Sequence, residues 1–182
     1  MHQFLRAVTV AGLALALGST QAAESAARGP LLLQNPTLSR TQIAFESGGE
    51  IWIVARDGGA ARLLVSGQGR CGSPIFSPDG QQVAFTATYD GNTDVYVVSA
   101  AGGEPLRLTY HPGPDEALAW TPDGRSILFR SMRATPRDLP QLYTIAATGG
   151  FPTPLPLPSG AEAAFSPDGQ HLAYTPFPQW QP

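Results

Sequence analysis

One thiol, two downstream imidazoles and several groups of carboxylates and guanidiniums are the side chains along the chain that could do chemistry. Cys71 is the only cysteine, so it has no intramolecular disulfide partner. No histidine lies near it in sequence to take its proton, and the thiolate rather than the thiol is the nucleophile. Its neighbours Arg70 and Gly72 read as a loop before a strand, and Cys71 as a structural thiol. His111 falls in a Tyr-His-Pro loop and His171 at the head of a strand. Neither has a Ser and a carboxylate at a spacing suited to a triad. Asp79, Asp123 and Asp168 each occur in a Ser/Thr-Pro-Asp-Gly segment, and a carboxylate repeated once per structural unit is explained by turn chemistry rather than by a reaction. Asp90-Gly91-Asn92-Thr93-Asp94 gathers oxygen ligands suited to calcium. It lacks the alternation, the later Gly and the distal Glu of the twelve-residue loop, and a hairpin turn accounts for it. Arg125, Arg130, Arg133 and Arg137 bracket a longer connection over residues 131–140. Guanidinium binds carboxylate through paired hydrogen bonds, so these residues could meet a peptide carboxylate; a solvated loop is the plainer reading. No residue is assigned a catalytic, cofactor-binding or metal-binding role, and no cofactor is expected.

The elements that position these groups are set by an internal repeat. Phe76-Ser77-Pro78-Asp79-Gly80 precedes the strand-like Gln82-Val83-Ala84-Phe85, Trp120-Thr121-Pro122-Asp123-Gly124 precedes Ile127-Leu128-Phe129, and Phe165-Ser166-Pro167-Asp168-Gly169 precedes Leu172-Ala173-Tyr174. The Ser/Thr anchors at 77, 121 and 166 give periods of 44 and 45 residues. A degenerate first copy, Pro36-Thr37-Leu38-Ser39 leading into Ile43-Ala44-Phe45, lacks the Pro-Asp-Gly turn. A second motif keeps nearly the same period: Ile51-Trp52-Ile53-Val54, Val95-Tyr96-Val97-Val98 and Leu142-Tyr143-Thr144-Ile145 lead to Gly58-Gly59, Gly102-Gly103 and Gly149-Gly150.

In the first motif Pro pre-sets φ at the second turn position, Asp suits the third, and Gly takes the left-handed place that follows. The flanking segments are β-branched or aromatic and strand-length. Strands are expected over about Ser73–Phe76, Gln82–Thr88, Asp94–Ser99 and Pro105–Thr109 in the second unit. Four short antiparallel strands per 40–45 residues describe a propeller blade. The expected fold is all-β, with propeller blades of four antiparallel strands in an incomplete ring of about three and a half blades.

Composition narrows the function classes. Hydrophobic residues make up 42% of the 182, enough for a packed core, while charged residues are only 14%. The net charge is −3 and the chain has no lysine, so no basic surface is available for neutralising nucleic-acid phosphates. Residues 1–22 read as a signal peptide: one positive charge, an apolar run over residues 7–17 and small residues before Ala23. That run is short of the roughly 20 apolar residues of a membrane span, so a periplasmic or secreted mature chain without a membrane span is expected. Pro152, Pro154, Pro156 and Pro158 alternate and read as an edge strand or stiff connector, with presentation to a partner domain as the alternative.

These repeats resemble the WD40-like propeller shared by TolB and the N-terminal region of tricorn-type serine peptidases. Tyr89–Val98, Gly102-Gly103-Glu104-Pro105, Arg107–Gly113, Trp120–Gly124 with Leu128–Ser131, and Asn35–Ser39 are similar to the tricorn group. The resemblance implies a partial propeller over residues 23–175, with repeats at about 31–66, 73–109, 117–157 and 161–175. Residues 176–182 form a Pro-rich tail leading toward further sequence. It further implies a segment that guides peptides toward a catalytic serine-peptidase domain, a hydrolase for proteolysis, outside this chain; no position here matches that domain's nucleophile or base. Expected partners are peptides or proteins and the remaining domains of the parent peptidase, in an oligomer. The alternative is a periplasmic TolB-like protein-binding propeller, disfavoured because TolB-like proteins carry an α/β domain before the blades. A stand-alone interaction module is a third reading.

Overall fold

The computed structural model describes residues 32–67, 69–134 and 139–176. The signal-peptide reading, Arg137, Pro178 and Pro182 lie outside the described residues. The described chain contains strands and no helix, arranged as antiparallel sheets in sequence order. Blade 1 comprises β1 (Gln34–Leu38), β2 (Gln42–Ser47), β3 (Glu50–Ala55) and β4 (Arg62–Val65). Blade 2 comprises β5 (Arg70–Phe76), β6 (Gln82–Tyr89), β7 (Asn92–Ser99) and β8 (Leu106–Arg107). Blade 3 comprises β9 (Asp115–Trp120), β10 (Ser126–Ser131), β11 (Gln141–Ala146) and β12 (Thr153–Pro154), and a two-stranded sheet follows with β13 (Glu162–Phe165) and β14 (Leu172–Thr175). Each four-stranded sheet is a meander whose neighbours in space are neighbours in sequence.

The turn chemistry explains why β6, β10 and β14 start where they do. Gly80 N–H donates to Ser77 O at 2.8 Å, closing the turn, and Gly80 has φ +73. The Ser77 hydroxyl donates to Asp79 Oδ1 at 2.6 Å and accepts from Gln82 N at 2.9 Å, while Asp79 accepts from Gln81 N at 3.0 Å. Thr121 with Asp123 and Ser166 with Asp168 repeat every one of these bonds. The three carboxylates are therefore turn groups, and each is held below the usual carboxylate range, first by its Ser or Thr hydroxyl and then by a backbone N–H.

A depressed folded-state pKa contributes stability above the unfolded value and loses it as pH falls through the folded one. Acidification below about pH 4 is therefore expected to lower the melting temperature of the protein. A triple Asp79→Asn, Asp123→Asn, Asp168→Asn variant should show a smaller drop over that interval in calorimetric pH titrations; equal drops would deny the turns this role.

The two core clusters lie between blades. Ile51 and Ile53 of blade 1 pack with Val83, Phe85, Tyr96 and Val98 of blade 2. The opposite face of blade 2, through Ala84, Val95 and Val97, packs with Ile127, Phe129, Tyr143 and Ile145 of blade 3. Blade 2 is thus covered on both faces, which is why Val95–Val98 are all buried despite strand alternation. Phe85 stacks on Tyr96 and Phe129 on Tyr143 in successive blades, so the period seen in the sequence is a repeated cross-strand aromatic pair.

All four strands of blade 2 depart from the expected bounds, β6 by running to Tyr89, β7 by starting at Asn92, and β5 and β8 by more. β5 begins at Arg70 rather than Ser73, so Arg70 and Gly72 are strand residues. Gly72 hid this, and its identity has a local cause: a Cβ there would sit 2.6 Å from Glu46 Oε2. β8 spans only Leu106–Arg107 of the expected Pro105–Thr109.

Candidate functional site

The inner strands β1, β5, β9 and β13 bring their edges to a groove of about 540 Å³, walled by Asn35, Pro36, Thr37, Ser73, Pro74, Ile75, Ala117, Leu118 and Ala163, with Glu116, Arg130 and Glu162 as its charged groups. It continues through Asn35, Ser73 and Glu116 into a smaller recess of about 200 Å³ that reaches Glu46, Arg70, Thr86 and Thr88. Asn35 (φ 48) and Ser73 (φ 51) are non-glycine residues in left-handed backbone, at irregularities of β1 and β5. Each precedes a proline.

One repeat position organises the groove. Glu46, Thr86 and Arg130 each stand two residues past the matching pairs of the second strands, Ala44↔Thr37, Ala84↔Ile75 and Leu128↔Ala119. Each reaches the next blade. Glu46 Oε1 accepts from Arg70 at 2.8 Å and Oε2 from Asn35 Nδ2 at 3.0 Å. The Thr86 hydroxyl accepts from Ala117 N at 3.0 Å, and Arg130 donates to Ala161 O at 3.2 Å while pairing with Glu116 at 2.5 Å. Glu46 is almost fully buried, whereas the Arg70 side chain is 72% exposed and Glu116 is 41% exposed. In sequence this position lies nine residues past Ser77 and Thr121 and seven past Ser39; aligning the repeats beyond their apolar letters would have found it.

The residues singled out from sequence lie elsewhere. Cys71 is fully buried, its Sγ 3.0 Å from Tyr89 Oη, and burial raises its pKa; an inert packed thiol results. His111 is in a loop, its Nδ1 accepting from Gly113 N at 3.0 Å, and His171 heads β14 with its backbone N–H on Ser166 Oγ. Asp90 and Gly91 make the two-residue turn joining β6 and β7, both at positive φ. Asp94 is fully buried and accepts from Arg107 at 2.5 Å, Thr109 at 3.0 Å and Asn92 at 2.7 Å. Arg125 donates its backbone N–H to Asp123.

The solvated-loop reading of the arginines fails for two of them. Arg130 is a β10 residue inside the groove, and Arg133 pairs with fully buried Asp115 at 2.6 Å beneath the rings of Phe129 and Tyr143. Arg133 answers the buried acid Asp115, and Arg130 answers the half-exposed Glu116 and the Ala161 carbonyl; the sequence around each arginine displays neither partner. Desolvation raises the Asp115 pKa; the nearby Ser131 hydroxyl and the Arg133 charge oppose it without closing a hydrogen bond onto Oδ1.

The family model for the tricorn protease N-terminal beta propeller domain matches residues 30–182. The chain belongs to this family. Tricorn protease homolog 1 of Streptomyces coelicolor is 36% identical over 98 residues, covering 53% of this chain and 9% of that protein. The matched stretch of this tricorn-family propeller therefore covers about a tenth of the length of that relative. Among solved structures, TolB from Acinetobacter baumannii superposes with a TM-score of 0.72 at 28% identity, covering 83% of this chain and 39% of that one. The tricorn protease crystal structure gives 0.68 at 25% identity, covering 76% and 14%.

Proposed function

We propose that this tricorn-family propeller is the N-terminal segment of an exported serine peptidase and guides peptides toward a catalytic domain on the parent protein. The observation that carries the reading is the groove of about 540 Å³ at the inner strand edges, in which Arg130 and Glu116 are held as a fixed pair. The tricorn relatives supply the peptidase context, and the apolar start of the chain supports export with a mature terminus near Ala23.

A photoreactive benzoylphenylalanine peptide tests the groove. Incubated with protein isolated from the non-cytoplasmic fraction of a bacterial host, it is expected to crosslink at residues within 34–38, 70–76 or 115–120, the crosslinked residue being located by tandem mass spectrometry. Crosslinks confined to the outer strands β4, β8 and β12 would refute guidance through the groove. N-terminal sequencing of the same preparation tests export, and an intact Met1 on a cytoplasmic product would refute it.

A further inference from the structure

Blade 3 departs from the repeat at one cross-strand row. Two residues beyond the aromatic pairs Phe85↔Tyr96 and Phe129↔Tyr143, the ladders match as Cys71↔Ala87↔Asp94 in blade 2 and Asp115↔Ser131↔Gln141 in blade 3. One step further out, blade 2 carries Arg70↔Thr88↔Thr93, polar throughout, with the Thr88 and Thr93 hydroxyls 2.9 Å apart. The corresponding residues of blade 3 are Pro114, Met132 and Pro140. All three are apolar. Core packing among the described residues does not demand the change, because Pro114 is exposed and Met132 is 42% exposed.

With Ala161 these residues wall a recess of about 190 Å³ that shares Glu116 and Arg130 with the groove. Its polar groups are already engaged. Arg130 pairs with Glu116 at 2.5 Å and donates to Ala161 O at 3.2 Å, while Ser131 Oγ accepts from Arg133 N at 3.2 Å and Nε at 3.0 Å. Apolar walls with spent polar groups offer water few partners, so the recess gains by taking an apolar group. A cavity of about 150 Å³ accepts a benzene ring, and this one is larger. Two of its residues prefer a π system to an aliphatic group of the same size: the Arg130 guanidinium through cation–π attraction and the Met132 thioether through sulfur–aromatic contact.

From this row we infer that blade 3 holds an aromatic side-chain subsite beside the groove, in which a Phe or Tyr ring of a passing peptide sits among Pro114, Met132 and Pro140 next to Arg130. The inference rests on the peptide-guiding reading above and adds the side-chain class that the groove prefers. Blade 2 has no such subsite, because its Thr88 and Thr93 hydroxyls bond each other across the same place in the repeat.

Met132 is the only methionine after Met1, which places a reporter inside the subsite. The full chain, carrying carbon-13 in its methionine methyl groups, is titrated by NMR with the doubly capped peptide acetyl-Ser-Gly-Xaa-Gly-Ser-amide, Xaa being Phe, cyclohexylalanine or Ala. The Phe peptide is expected to bind about tenfold more tightly than the Ala peptide and to move the Met132 methyl signal upfield through the ring current. Cyclohexylalanine, equal in bulk but without a π face, should bind about threefold more weakly than Phe and give no upfield shift. Equal binding of the Phe and Ala peptides would overturn the subsite while leaving peptide guidance standing. A Phe preference with an unmoved Met132 signal would place the ring elsewhere and overturn it too, and cyclohexylalanine binding as tightly as Phe would overturn selection for aromatic rings. Binding of no peptide would overturn both readings. The series needs no variant, so no loss of folding can obscure its outcome.

Discussion

Replacing Arg133 with Met is expected to destabilise the protein by about 3–5 kcal/mol at neutral pH, the usual cost of removing one partner of a buried ion pair. Asp115 is fully buried at the head of β9, and Arg133 is its ion-pair partner at 2.6 Å. The other carboxylate oxygen has no hydrogen-bond partner among the described residues; the nearby Ser131 and Thr109 hydroxyls also favour the charged form, and Arg133 supplies the opposite charge. Met keeps part of the aliphatic stem but loses, with the charge, the guanidinium contact over Phe129 and Tyr143. Asp115 already has a raised pKa through desolvation, and removing Arg133 raises it further. The sign follows from linkage: with the folded-state pKa above the unfolded value, the native state takes up the proton first, and stability is gained as pH falls through that window. The deficit of Arg133→Met relative to the parent should therefore shrink between neutral pH and about pH 4, and adding Asp115→Asn should flatten that dependence. Denaturant melts at several pH values measure both; a deficit that stays constant across that range would show that packing, not charge, is what Arg133 contributes.

The same ion pair shows where sequence reading stopped. Blades were legible because their information is local: the Ser77 turn, its Thr121 and Ser166 copies and the aromatic pairs Phe85–Tyr96 and Phe129–Tyr143 each lie within 14 residues of their partners. The groove was not legible. Glu46 meets Arg70 across 24 residues, Arg130 meets Ala161 across 31, and Trp120 meets Ile75 across 45. Such contacts follow from how far one blade rotates past the next, which the residues of a single repeat do not encode. Polar letters at strand positions also look like solvent-facing positions until the neighbouring blade is known, so Arg130 reads as a loop residue from sequence and proves to be a staple between blades.

Sheet edges give the second large expectation: residues 23–182 taken alone should self-associate through β14 and not through β12. Leu155 N–H donates to Leu142 O, so Thr153 and Leu155 turn their backbone groups toward β11 and residues 152, 154 and 156 turn theirs outward. All three are proline. The outer edge of blade 3 consequently presents no N–H over this stretch, a known protection against edge-to-edge pairing, and this gives the alternating prolines their role. On β14 the Ser166 N–H to His171 O bond sets the opposite outcome, with residues 171, 173 and 175 facing β13 and Leu172 and Tyr174 facing outward. Their matches in blade 2, Val83 and Phe85, face β7 and are fully buried, whereas Tyr174 is 37% exposed and no strand covers β14 among the described residues. An edge with free donors and an apolar face pairs with another copy. Sedimentation of the protein is expected to show oligomers, and Tyr174→Pro, which deletes an outward donor at a position where an edge strand tolerates proline, should weaken association by roughly tenfold. Pro154→Val should strengthen it by restoring an N–H to the guarded edge. A monomer at all concentrations would refute pairing through β14, and so would an oligomer indifferent to Tyr174→Pro, because the outward amide of residue 174 is the group that this mode of association requires.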